Sequence, residues 1–408
     1  MSKRYLRAAA LAAAILSALG TPGIAQAGPR ASDMPDRVAV KPDANARAAL
    51  EAAARSTDQS PQRIGGSSMR AAGKCDPLSQ AHGSETVICV TPLQSGARPT
   101  KAEVSQQTIQ PLPDWCYDHA FDDWWATRTQ MCMIDAWTVT VTRTVNGVVT
   151  PIGGFDYNGY NYSYTSADMS TWASQTEIGM YNPWGDIAGI QVSGASSCTG
   201  ACINGGADFP SQPVVPGAFP GGEAFFTSTA TTRGSEGRAS TTLTYYFTKP
   251  GATPSTPHDV PTPDVRCDHK LPGNNTVAGC IVYGIAPVMT YSLTTPYPEL
   301  AAHIRDAQAT GIPGSPFGGS PLHRLIDPTL QQRNRDVACP DSLPRPPGKS
   351  CDEYPMASTW EGAATGVNNY SWRMIDEAQN SNGGNAMNTF YRNMRLLDWD
   401  AFYVGIVP

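Results

Sequence analysis

The residues best placed to do chemistry are Cys351-Asp352-Glu353-Tyr354-Pro355-Met356-Ala357-Ser358-Thr359-Trp360-Glu361-Gly362, two adjacent carboxylates directly behind a cysteine and a third acid nine residues after Asp352. Carboxylates can serve a phosphodiester in two ways. They hold a hard divalent cation through oxygen, so that it offsets charge developing on phosphate, or they take a proton from attacking water. Asn380, in Gln379-Asn380-Ser381-Asn382-Gly383-Gly384, offers a neutral amide oxygen to the same kind of ion. By residue type alone, Asp-Glu before Tyr-Pro also reads as a turn or helix cap, and Asn-rich Gly-Gly as a loop. Gly-x-Ser-x-Gly, His-Glu-x-x-His and the phosphate-cradling Gly-x-x-x-x-Gly-Lys are all missing.

A bond between Cys339 and Cys351 would close a twelve-residue separation and pin the backbone entering Asp352. Such a closure is worth about 3 kcal/mol in the loop-entropy account. Phosphate contacts are expected from His323, Arg324 and Arg373, with Arg333 and Arg335 completing a local basic groove. The groove has to be local, because from Thr262 onward 11 Lys and Arg stand against 14 Asp and Glu. Any binding to a phosphate polymer should therefore be weak and salt-sensitive.

These pieces lie in a longer pattern. Tyr297-Pro298-Glu299, His303-Ile304-Arg305-Asp306-Ala307, Asp352-Glu353-Tyr354-Pro355 with Ala357, Glu361-Gly362, and Asn380 with Gly383-Gly384 together resemble the secreted bacterial deoxyribonuclease NucA/NucB family in order and spacing. The resemblance covers about residues 267 to 408. It implies a small α/β nuclease related to the ββα-metal enzymes, cleaving DNA non-specifically with a divalent cation, Mg²⁺ or Mn²⁺. It also implies Asp352 as general base, Glu353 as a supporting or alternative carboxylate, and Glu361 and Asn380 as metal ligands. Some relatives carry an acid where this chain has Gln379, Glu-Gly-Ala replaces the commoner Glu-Gly-Gly, and Pro313 to Pro321 reads as a loop expansion. His303, on a helix, reads as packed or hydrogen-bonded rather than catalytic.

Elements to carry these residues are legible nearby. Pro298 to Gln308 reads as a helix with proline in its first turn, Leu300, Ile304 and Ala307 on one face, and Gly311 to stop it. Another helix is expected from Asn385, where Met387, Phe390, Tyr391 and Met394 follow the i, i+3, i+4, i+7 rule. Gly279 to Tyr283 and Phe402 to Val407 read as strands of a compact α/β or α+β domain.

Upstream the composition changes. Trp137 to Thr142 alternates apolar and polar residues, Asn146-Gly147 is the favoured pair for a type I′ turn, and Val148-Val149-Thr150 begins the return strand. Leu243, Tyr245 and Phe247 alternate again. Residues 75–248 thus read as an antiparallel, sandwich-like β domain. Trp124-Trp125 and the Tyr157 to Tyr164 cluster are either a sugar-stacking surface or core and cross-strand pairs. Prolines 250, 254, 257, 261 and 263 mark residues 249–265 as a semi-rigid linker before a nuclease domain at 266–408.

Lys3, Arg4 and Arg7, the apolar run Ala8 to Leu19 and Ala25-Gln26-Ala27 read as a signal peptide over residues 1–27. Residues 28–74 read as a disordered spacer or pro-segment with a helix near Ala44 to Ala54. Ten cysteines fall into the local pairs 75/89, 116/132, 198/202, 267/280 and 339/351, and an exported chain would hold them as disulfides. A zinc site is disfavoured, since no Cys-x-x-Cys occurs and only His269 lies near ligand spacing. Removing residues 1–27 leaves 26 basic and 35 acidic residues, a net charge of −9 that excludes bulk-charge coating of nucleic acid. Collagen, coiled-coil and polytopic membrane architectures are excluded by composition and run length.

The expected protein is thus a secreted, extracellular, monomeric endodeoxyribonuclease without membrane insertion. The β domain would take a polysaccharide or cell-envelope ligand. The alternative is a secreted surface or glycan-binding protein with a catalytically inactive nuclease-like domain.

Overall fold

The computed structural model describes residues 44–55, 60–65, 85–97, 109–273 and 276–408. The signal segment 1–27 and Cys75 lie outside the described residues.

The long hairpin forms around its Asn-Gly turn. Gln130–Val145 and Val148–Ser166 pair antiparallel, with Asn146 and Gly147 at φ +51° and +77°, the two left-handed residues a type I′ turn demands. Around it grows an eight-stranded antiparallel sheet that includes Met169–Gly185, Gly221–Ser228 and Cys202–Asp208. A six-stranded sheet centred on Glu236–Thr248 and Gln191–Gly200 packs against it. Leu243, Tyr245 and Phe247 are buried between the sheets with Trp137, Val139, Phe155 and Tyr157. Tyr160, Tyr162 and Tyr164 are buried in a second cluster on the other side of the large sheet. The aromatic run is thus core rather than a sugar-stacking surface; only Trp125 of that set is half-exposed, stacked on His119 at 3.4 Å.

Two segments differ from expectation. In the stretch read as a spacer or pro-segment, the helix Ala44–Arg55 buries Leu50, Glu51 and Ala54 against the Tyr162–Tyr164 face, and Arg47 pairs with Glu223 at 2.8 Å. The proline-rich stretch read as a linker supplies His258–Pro261 and begins Val265–Asp268, both paired to Glu236–Thr248. Prolines impose extended geometry, and an edge position tolerates their missing N–H. Gly279–Val282, expected in the nuclease domain, instead pairs with Val265–Asp268, and the Cys267–Cys280 disulfide crosses that pair.

The C-terminal core is separate. Val288–Ser292 runs parallel to Ala401–Val407, which also pairs with Leu322–His323. Helices Pro298–Ala309, Pro328–Ala338 and Glu377–Asn393 enclose Tyr291, Leu300, Ile304, Tyr354, Met387, Phe390 and Phe402. A buried ionic cluster joins the two cores: Arg128 and Arg266 both reach Asp400, at 2.8 and 2.7 Å, and Arg395 meets Asp268 at 3.0 Å. Among the described residues the disulfides are 116–132, 198–202, 267–280 and 339–351; Cys89 is also disulfide-bonded. No helix among the described residues is long and apolar enough to cross a membrane.

Candidate active site

Strand Lys349–Tyr354 pairs antiparallel with Ser371–Asp376, placing Asp352 opposite Arg373. Asp376 then caps the helix Glu377–Asn393, accepting from the Gln379 N–H at 3.0 Å. The helix expected from Asn385 therefore begins eight residues earlier. Asn and Gly are weak helix formers, but the cap satisfies one of the free N–H groups of the first turn. A side chain at Gly383 would collide with Leu300, so glycine there permits close packing of the helix Pro298–Ala309. The result is a strand–strand–helix unit that brings Asp352, Glu353 and Asn380 to one cavity of about 330 Å³.

Each of the three is held. The Cys339–Cys351 disulfide ties the residue before Asp352 to the end of the helix Pro328–Ala338. Asp352 Oδ2 meets His303 Nδ1 at 2.6 Å, and His303 Nε2 meets Ser371 Oγ at 2.9 Å, so both ring nitrogens of a fully buried histidine are engaged. Asn380 donates its amide N–H groups to Ser350 Oγ at 2.9 Å and to the Cys351 carbonyl at 3.0 Å. Its nitrogen is thereby spent, and the acceptor oxygen is the end left for a ligand.

Burial pushes the Asp352 carboxyl above the usual range, opposed by the His303 hydrogen bond. Burial and then the neighbouring Asp352 charge push Glu353 up to about 7, opposed by Arg335. Two adjacent acids in one desolvated site cannot both ionise freely.

The other expected residues lie apart. Glu361 binds His323 with both oxygens, accepting from its backbone N–H at 2.8 Å and meeting Nδ1 at 2.8 Å, and it does not line the cavity. Of the two expected metal ligands, Asn380 lines this cavity and Glu361 does not. A backbone bridge between Arg324 and Thr359 brings His323 and Glu361 together instead. Arg324 is buried with its guanidinium over the Tyr391 ring at 4.1 Å, and burial lowers its pKa. Arg373 pairs with Asp306 at 3.0 Å. The cation on the cavity wall is Arg335, beside Gln331. Sequence reasoning missed Asn388, which shares a helix face with Asn380 and Gly384 at i, i+4, i+8. A helix start at Glu377 would have revealed it.

Among the described residues no group of three or more His, Cys, Asp or Glu is arranged to hold a metal ion. The oxygen donors among the cavity-lining residues include the Asn380 amide and the Asp352–Glu353 pair. Such a set fits a largely hydrated Mg²⁺-type cation, which binds through one or two carboxylates and substrate phosphate, rather than a closed cage. Gln379, at the position where an acid was sought, turns its side-chain oxygen to the Glu299 N–H at 2.8 Å.

Residues 329–405 match the family model described as Deoxyribonuclease NucA/NucB. The matched span contains the hairpin, the capped helix and all the cavity carboxylates. No curated protein and no solved structure matches the chain.

Proposed function

We propose that this protein, whose residues 329–405 match the deoxyribonuclease NucA/NucB model, is an exported, divalent-metal-dependent endodeoxyribonuclease that cleaves without sequence preference. The observation that carries this reading is the meeting of Asp352, Glu353 and Asn380 at one cavity inside the matched span.

Asp352 is the general base. Its Oδ2 is fixed by His303, and the other oxygen takes a proton from the water that attacks phosphorus. Glu353, poised near 7, is the supporting carboxylate that shares the proton load with Asp352. Asn380 and the Glu353 carboxylate would hold the divalent cation through oxygen. When bound, that cation supplies positive charge against the developing charge on phosphate. Arg335 on the cavity rim adds a phosphate contact. Contacts to phosphate carry no sequence information, which accounts for non-specific cleavage. His323 beside Glu361 and Arg373 beside Asp306 add weaker phosphate contacts outside the cavity, while Arg324 is buried. Glu361 orients His323 rather than joining the cavity. The disulfides and the basic and apolar N-terminal sequence support the export reading.

The competing reading, an exported binding protein with an inactive nuclease-like domain, draws on the uncharged Gln379 and on Glu361's commitment to His323. Plasmid cleavage by the full chain with Mg²⁺, with Mn²⁺ and with chelator separates the two. Metal-dependent nicking supports the enzyme, and intact plasmid under every metal supports the binder.

A further inference from the structure

Beside the cavity, Trp360 and Trp399 stack face to face, with ring centroids 4.5 Å apart and planes 16° apart. Trp399 is 58% exposed and sits at φ +66°, a conformation costly for an aromatic residue. Neither burial nor chain geometry repays that cost, since glycine or asparagine would make the same turn more easily. The platform is rigid. Trp360 donates its indole N–H to Asp398 Oδ1 at 3.3 Å and its backbone N–H to the His323 carbonyl at 2.9 Å, and the Trp399 N–H bonds the Arg324 carbonyl at 2.8 Å.

Joined to it through the Trp399 N–H is a buried cation, Arg324, whose guanidinium sits over the Tyr391 ring at 4.1 Å. Arg324 is 8% exposed, and among the described residues its Nε and Nη1 have no hydrogen-bond partner and the side chain has no ion pair within 4 Å. The Asp398 and Asp400 charges act on it from beyond ion-pair distance, so the side chain lends positive charge to the patch. The patch adjoins the cavity wall in the chain: Ser358, a wall residue two before Trp360, accepts from the Leu325 N–H at 2.8 Å.

We propose that Trp399, backed by Trp360 and with Arg324 nearby, is a stacking subsite for an unpaired nucleobase of the DNA strand entering the cavity, so that the enzyme prefers single-stranded or frayed DNA. The inference rests on the deoxyribonuclease reading. A flat exposed indole accepts the face of any base, and duplex bases present no free face. The positive charge favours a nucleotide over a neutral sugar ring.

The test is fluorescence anisotropy of the full, oxidised chain in chelator, with labelled oligothymidylate and with a duplex of equal length. Tighter binding of the single strand is expected. Trp399→Gly should weaken it by about fivefold to a hundredfold while melting no lower than the native chain, because glycine accepts the positive φ. Trp399→Asn, which also tolerates that φ, serves as the second variant. Unchanged binding in both variants, a duplex preference in the native chain, or displacement of the strand by a neutral polysaccharide would overturn the subsite. Metal-dependent cleavage with variant-insensitive binding removes this inference alone. Trp399-dependent strand binding without cleavage in any metal removes the nuclease reading and leaves the subsite.

Discussion

Asp352 Oδ2 and His303 Nδ1 stand 2.6 Å apart inside the C-terminal core, and the far nitrogen of the same ring meets Ser371 Oγ at 2.9 Å. One imidazole therefore spans both strands of the site hairpin from the helix Pro298–Ala309. Its hydrogen bond is the largest influence holding the Asp352 carboxyl down against burial.

Replacing that ring should move the base. In His303→Gln, Asp352 loses its partner and its pKa rises further, so the ascending limb of the pH–rate profile shifts to higher pH. At pH 7 the rate should fall about ten- to a hundredfold. A profile of unchanged shape and position would mean that His303 only packs.

Glu353 gives a stability prediction with an unusual sign. Its folded pKa, about 7, lies above the ordinary 4.5, so the folded state holds the proton more tightly than the unfolded chain does. Its contribution is fully present below pH 4.5 and is lost as pH rises through 7. Glu353→Gln should therefore melt higher than the native chain at pH 8, by at least about 2 °C, with the gap closing by pH 5. Thermal melts in chelator at both pH values check it.

The 339–351 disulfide should matter more to rate than to folding. Cys339→Ser with Cys351→Ser releases a 12-residue closure worth about 3 kcal/mol. It also frees the backbone entering Asp352. Parallel melts and cleavage assays should show activity falling at temperatures where the variant is still folded.

The β unit and the nuclease unit should not separate cleanly. Arg128, in the bend leading into the large-sheet strand Gln130–Val145, donates to the Met394, Ile285 and Arg395 carbonyls and pairs with Asp400. Arg128→Ala strands Asp400 beside Arg266 alone and should destabilise the fold by about 3–5 kcal/mol. A fragment of residues 262–408 would lack Arg128 and Glu236–Thr248, one of the two strands paired with Val265–Asp268, and it should give no cooperative melt. Calorimetry on both tests this.

Local chemistry was the part of the fold legible in the sequence. Asn146-Gly147 foretold its hairpin because two left-handed residues leave few alternatives, and Pro298 with Gly311 bracketed a real helix. The start of the helix Glu377–Asn393 was hidden because Asn380, Asn382 and Gly383 are helical only through the Asp376 cap and the packing of Leu300. The role of residues 249–282 was hidden too, because proline spacing reports extended geometry and not which strand lies alongside. At the site, the Asp352–Glu353–Asn380 grouping could be anticipated from family spacing. The attachment of Glu361 to His323 could not, since it depends on the backbone bridge between Arg324 and Thr359, 35 residues apart in sequence.

Plasmid relaxation by the full chain and by Asp352→Ala, each with Mg²⁺, Mn²⁺ and chelator, tests the central claim most directly. Metal-dependent nicking by the native chain, reduced about a hundred- to ten-thousandfold in the variant with its melting temperature nearly unchanged, is the predicted result. Equal nicking by the variant, or intact plasmid with the native chain under every metal, would contradict it.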